Sequence, residues 1–214
     1  MKRRIACCSL VALALAQAPT WARAEQMTFK VLPYSRVTFK TDAPLETVIG
    51  NTSGESVTGT VTGDPARPET ATGTVRVDMA ALRTGIERRD NQMFSKDFLD
   101  TANEAHRYAT FEMKGLEMAG PLVPGQEAKA RLRGTVTIRG KPVDVTAEAQ
   151  VNYLKLTPEQ IESQKRFGFT TDNMRVRAAF KTSFTNHGMQ VPQFLILKLS
   201  NEIQVETDIT MARQ

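Results

Sequence analysis

His106 and His187 are the only imidazoles in this 214-residue chain, so acid–base or metal chemistry would have to start from them. Neither has a second histidine or a glutamate pair at ligand spacing, and the sequence therefore offers zinc no ligand set. Serine hydrolysis needs an imidazole beside an activated serine, yet no Gly-x-Ser-x-Gly elbow occurs. A small hydrolase would rest on a lone histidine, His106 or His187. Asp97 and Asp100 stand three apart, a spacing common on solvated helix ends and weak support for paired-carboxylate catalysis. Arg88-Arg89-Asp90 is more informative. A guanidinium there can present a planar donor fork to a phosphate or a carboxylate. The same cluster also suits a loop ion pair. Arg139 and Lys141, at a hairpin tip, read as solubilising turn residues.

Another chemistry needs no reactive group. Val37, Phe39, Val75, Val77, Phe94, Phe98, Phe111, Val136 and Phe180 are apolar positions that would face an interior, whether that interior is filled or hollow. Each buried methylene gains about 0.8 kcal/mol, so a five-carbon unit gains about 4 kcal/mol before ordering costs. Several such units would pass the affinity ceiling of about 18–21 kcal/mol unless the cost of leaving a membrane offsets them. On the residues alone the simpler reading is that these side chains fill a packed barrel.

The elements that must carry these positions are strands. Val143, Val145, Ala147, Ala149, Val151 and Tyr153 alternate with polar neighbours, as do Leu132, Gly134, Val136 and Ile138. Ile203, Val205, Thr207, Ile209 and Met211 repeat the pattern. Period two with one apolar side marks antiparallel strands with a single buried face. Further strands are expected at 36–40, 46–51, 56–62, 74–78, 109–116, 174–184 and 194–199. Arg139-Gly140-Lys141-Pro142 should close a hairpin, and 121–125 should break another pair. A straight strand from Phe194 to Met211 would reach about 60 Å, so a bend is expected near Ser200-Asn201. Thr157-Pro158-Glu159-Gln160 predicts a capped helix running to about Arg166 and stopped by Gly168. Between Met79 and Ala105 the alternation ceases. Leu82, Ile86, Met93, Phe94, Phe98 and Leu99 there have the spacing of short helical turns that cover a barrel mouth or wall.

The first 24 residues read as a secretory signal: Lys2, Arg3 and Arg4, an apolar run from Ile5 to Ala16, and Ala22-Arg23-Ala24 with cleavage after Ala24. The run is too short for a permanent membrane anchor. Cleavage would remove Cys7 and Cys8, the only cysteines, and leave 190 residues in one domain without disulfides. It would also remove Lys2, Arg3, Arg4 and Arg23. The balance changes from 28 basic against 23 acidic residues to 24 against 23, which is no basis for binding nucleic acid.

Val77-Asp78, Thr84-Gly85, Arg89-Asp90, Phe98-Leu99-Asp100, Phe111 and Val136-Thr137-Ile138-Arg139-Gly140, with Ser35 to Phe39 upstream, resemble the YceI-like family of exported lipid-binding proteins. The likeness covers roughly residues 34–211 and is strongest over 75–145. It implies an all-β fold, an eight-stranded antiparallel lipocalin-like barrel with short helical insertions, spanning 25–214. It further implies that the barrel takes a polyisoprenoid such as an isoprenoid quinone or polyprenyl phosphate, with no other cofactor. The sequence departs from the family pattern at His106-Arg107-Tyr108-Ala109, after Gly140, at Thr185-Asn186-His187-Gly188 and in the capped helix. On this reading the protein binds, carries or sequesters an isoprenoid lipid in the periplasm, without bond chemistry and with transient contact to a membrane surface. The Met79–Ala105 segment would be a mobile cover. The alternative is an exported adaptor with a filled barrel whose loops bind a protein.

Overall fold

A computed structural model describes residues 25–194 and 197–214. The signal segment, including Cys7, Cys8 and the site after Ala24, lies outside the described residues, as do Leu195 and Ile196 of the expected 194–199 strand. The strands are β1 (Met27–Val31), β2 (Arg36–Asp42), β3 (Thr47–Ser53), β4 (Val57–Asp64), β5 (Arg67–Asp78) and β6 (Tyr108–Met118). They continue with β7 (Glu127–Ile138), β8 (Lys141–Lys155), β9 (Asp172–Ser183), β10 (Gln193–Phe194), β11 (Leu197–Lys198) and β12 (Glu202–Arg213). The helices are α1 (Glu87–Phe94) and α2 (Pro158–Gln164).

Ten of these strands form one antiparallel sheet in the order β1-β4-β5-β6-β7-β8-β9-β12-β2-β3, and a further β1–β12 pairing closes it. β12 meets β2 from Gln204 to Asp208 and β1 from Met211 to Arg213, so β1 and β2 are two halves of one wall segment. β3 and β4 are likewise halves of a segment, parted by a 3-10 turn at Gly54–Ser56. The wall is therefore an eight-segment antiparallel barrel, in the lipocalin-like form expected. Closure leaves few strand edges for unwanted pairing. One short edge remains: Thr47–Gly50 of β3 has no ladder on its far side among the described residues, and Asn51 makes a single bridge to Arg83.

Ser35 explains how the wall survives the break between β1 and β2. Its buried hydroxyl donates to the Thr210 carbonyl at 3.2 Å and accepts from the Thr210 amide at 3.0 Å. A side chain thus supplies the hydrogen bonds that the interrupted backbone cannot.

Inward alternation matches the expected faces. Val145, Ala147, Ala149, Val151 and Tyr153 are buried along β8, while their neighbours Asp144, Thr146 and Glu148 are exposed. Arg139 and Gly140 form the two-residue turn between β7 and β8, both with positive φ (51° and 68°). The β12 ladder begins only at Glu202, after the break anticipated near Ser200-Asn201. α2 has the full capping box between Thr157 and Gln160, then a 3-10 turn that ends at left-handed Gly168. Phe167 and Phe169 pack on Tyr34 at the β1–β2 break, with ring centroids 5.8 and 6.1 Å away, so α2 sits outside the barrel. Among the described residues no helix is long and apolar enough to cross a membrane.

Candidate functional site

The chain directions put the β2–β3 turn, the β7–β8 turn, the Met79–Arg107 segment and the β9–β12 connection at one end of the barrel, here called the mouth. A cavity of about 520 Å³ runs from this mouth to the opposite end, where Asp64, Pro65 and Leu122 line it. The volume falls within the ~300–1,000 Å³ usual for small-molecule sites. The lining is largely apolar, and its four charged residues stand at the ends: Glu46, Arg88 and Arg89 at the mouth, Asp64 opposite. Asp64 accepts from the Ala66 amide at 2.9 Å and the Arg67 guanidinium at 3.4 Å, so that charge is spent on the β4–β5 turn.

Inward-facing Val37, Phe39, Val75, Phe111 and Phe180 are only half-buried, unlike the tightly packed Phe29, Ala147 and Val151. Apolar side chains that point inward yet keep accessible surface belong to an interior that protein atoms do not fill. Val77, Phe98 and Val136 line the same cavity. Phe94 differs in position: it is not among the lining residues, and its ring packs 5.2 Å beneath the Arg83 guanidinium. The alternation-free stretch gave no means to tell which side of α1 faces inward. Phe29, Leu132, Val151, Val205 and Met211 also line the cavity, and all but Phe29 lay on strand faces legible by period two.

The cover over the mouth is fastened by the motif residues. Asp78 caps the Ala80 amide at 3.0 Å and pairs with Arg107 at 3.0 Å. Asp90, buried, accepts from the Thr84 amide and hydroxyl. His106 meets Asp100 through Nδ1 at 2.8 Å. Arg139 is more than a solubilising turn residue: its guanidinium donates to the Lys96 and Gly188 carbonyls, both at 2.8 Å, and ties the hairpin tip to both mouth segments. Arg88 and Arg89 both reach the cavity mouth, and Arg89 is bound by Glu46 at 3.0 and 3.2 Å. The Arg89 pair thus has the loop ion-pair geometry as well as a place at the entrance.

Each histidine is held by its own partners: His106 by Asp100, His187 by Thr182 and Lys141. His187 is fully buried, with Nδ1 donating to the Lys141 carbonyl at 3.2 Å and Nε2 accepting from the Thr182 hydroxyl at 2.8 Å. Burial, opposed by the Lys141 hydrogen bond, holds its pKa below the ordinary value. Thr182 and His187 are both buried, and neither lines the cavity.

A family model described as a YceI-like domain matches residues 31–211. Among solved structures, a polyisoprenoid binding domain from Saccharophagus degradans, implicated in plant cell wall breakdown, superposes with a TM-score of 0.63 at 12% identity, covering 88% of this chain and 99% of that one. BcnA of Burkholderia cenocepacia gives 0.58 at 17% identity, covering 82% and 95%. The YCEI protein of Campylobacter jejuni gives 0.58 at 20% identity, covering 78% and 85%. At these identities the likeness shows a shared fold. No curated protein sequence matches the chain.

Proposed function

Because this chain belongs to the YceI-like family, we propose that its barrel binds and carries, or sequesters, an isoprenoid lipid such as a quinone or polyprenyl phosphate, without bond chemistry. The observation that carries this reading is the apolar cavity of about 520 Å³ with charge confined to its ends. An amphiphile matches that polarity profile: the tail replaces water against Val37, Val75 and Phe180, and the head group stays near Arg88 and Arg89 at the wet mouth. The polyisoprenoid-binding structural neighbour supports the choice of ligand class. Export to the periplasm, read from the first 24 residues, would place the carrier beside the membranes that hold such lipids. Transient contact of the mouth with a membrane surface follows from the same reading, since a tail must leave one apolar phase to enter another. The adaptor alternative required a filled interior, and the cavity argues against it.

The test is organic extraction and mass spectrometry of the purified protein, with a Val176→Phe variant beside the wild type. Val176 lines the cavity and is half-buried, so a phenyl ring there has lumen to occupy. A prenyl lipid in the wild-type extract, reduced at least tenfold in a folded Val176→Phe protein, is the expected result. Extracts free of prenyl lipid, together with no binding of added farnesol, would overturn the reading.

A further inference from the structure

We infer that Gly50 and Gly134 set the bore of the lumen, keeping it wide enough for a methyl-branched chain by giving two phenyl rings a bed in the wall. This rests on the lipid-carrier reading for its ligand class, but its geometry is independent of it. Phe39 on β2 lies opposite Gly50 on β3, and a methyl group at Gly50 would stand 2.2 Å from Cε1 of the Phe39 ring. Phe111 on β6 lies diagonally across from Gly134 on β7, where a methyl group would stand 2.3 Å from Cζ of that ring. Real carbon contacts do not come so close, so each ring occupies the space that a side chain on the neighbouring strand would take. Neither glycine itself lines the cavity, whereas both phenylalanines do. The rings therefore lie along the wall over the glycines.

Both pairs are near the mouth. Phe39 neighbours Val205 on β12, which faces Phe180 on β9, and Phe111 sits between Val75 on β5 and Val136 on β7. These rows meet a tail as it enters. A ring forced off its glycine has one free direction, into the lumen. A straight acyl chain tolerates a narrower bore than a prenyl chain with a methyl branch on every fourth carbon. Specificity for branched tails thus follows from residues that never touch the ligand.

Gly50→Ala is the cleaner probe, since the three nearest atoms to the added methyl all belong to the Phe39 side chain, whereas at Gly134 they include the Glu112 carbonyl oxygen at 2.5 Å. The measurement is calorimetric titration with farnesol and with 1-dodecanol, which has the same main-chain length without branches or double bonds. Expected is a loss of at least tenfold in farnesol affinity in Gly50→Ala, less than threefold for 1-dodecanol, and recovery of farnesol binding in Gly50→Ala with Phe39→Leu. Gly120→Ala, at a site with open space around it, should match the wild type. Equal losses for both alcohols, or none, would overturn the inference. If the wild type binds neither alcohol and its extract holds no prenyl lipid, the carrier reading fails. The crystal structure of Gly50→Ala then decides the bore: a Phe39 ring turned inward supports it, and a ring still against the wall refutes it.

Discussion

One carboxylate oxygen of Asp90 receives both the backbone amide of Thr84, at 2.8 Å, and its hydroxyl, at 2.7 Å. This pair of hydrogen bonds across six residues fixes the loop that leads into α1 over the mouth, with Gly85 at positive φ making the reversal between them. Asp90→Ala leaves the Thr84 amide without its acceptor and should cost about 1–3 kcal/mol. Urea unfolding will read the loss, and hydrogen exchange at Thr84 should quicken by more than the global change requires. Exchange that tracks global unfolding alone would show the fastening to be dispensable.

Acid should destabilise the far end of the barrel through Asp172. Its buried carboxylate accepts from the Tyr153 hydroxyl at 2.5 Å and from Arg213 at 3.1 Å. Burial works against its charge, but those two bonds and Lys155 outweigh it and hold the pKa below the usual carboxylate value. A lowered pKa contributes stability that is complete above the unfolded value near 4 and is lost as pH falls through the lower folded value. Tyr153→Phe keeps the ring and removes one donor. It should lower stability at pH 7 by about 1–2 kcal/mol and move the acid transition to higher pH, as urea titrations from pH 7 to pH 2 will show.

His187 has the same sign at milder pH. Because burial depresses its pKa, the unfolded chain takes up the proton first, and stability falls as pH drops below about 6.5 toward the lowered folded value. Denaturant midpoints at pH 7.5, 6 and 5 should decline in the wild type. His187→Gln should begin less stable yet lose that part of the slope. An unchanged slope would assign the acid sensitivity elsewhere.

Thr157→Ala removes the capping hydroxyl that accepts from the Gln160 amide, and should cost about 1 kcal/mol. α2 lies outside the barrel, so farnesol affinity should stay within twofold of the wild type. A parallel loss of binding would mean that α2 is coupled to the lumen.

Most of the wall was legible because a barrel with one buried face writes its geometry as alternation, as in Val143 to Tyr153. β1 was not anticipated, although Met27, Phe29 and Val31 alternate and are buried. Five residues next to the proposed cleavage site make too short a run to stand out. The break at Leu32–Ser35 was hidden for another reason, since its compensation comes from Thr210, 175 residues away. The same holds for Arg139, whose acceptors lie 43 and 49 residues distant. Apolar composition alone could nominate Phe94 and Phe98 together. Only the packing of α1 and the turn that follows it separates the ring under Arg83 from the ring on the lumen. The glycine beds were invisible for want of register: Gly50 and Gly134 look like ordinary strand weaknesses until Phe39 and Phe111 are laid beside them.

Like a cask, the wall is only as tight as its least-joined stave. Along most of the hoop each stave is held by a full ladder on both sides, but at the upper part of β3 the seam is crossed by the Asn51–Arg83 bridge and the Glu46–Arg89 ion pair. Local opening begins where the fewest bonds resist it. If the hoop is ever to part, the first gap opens there, and the staves on either side can stay joined to their other neighbours.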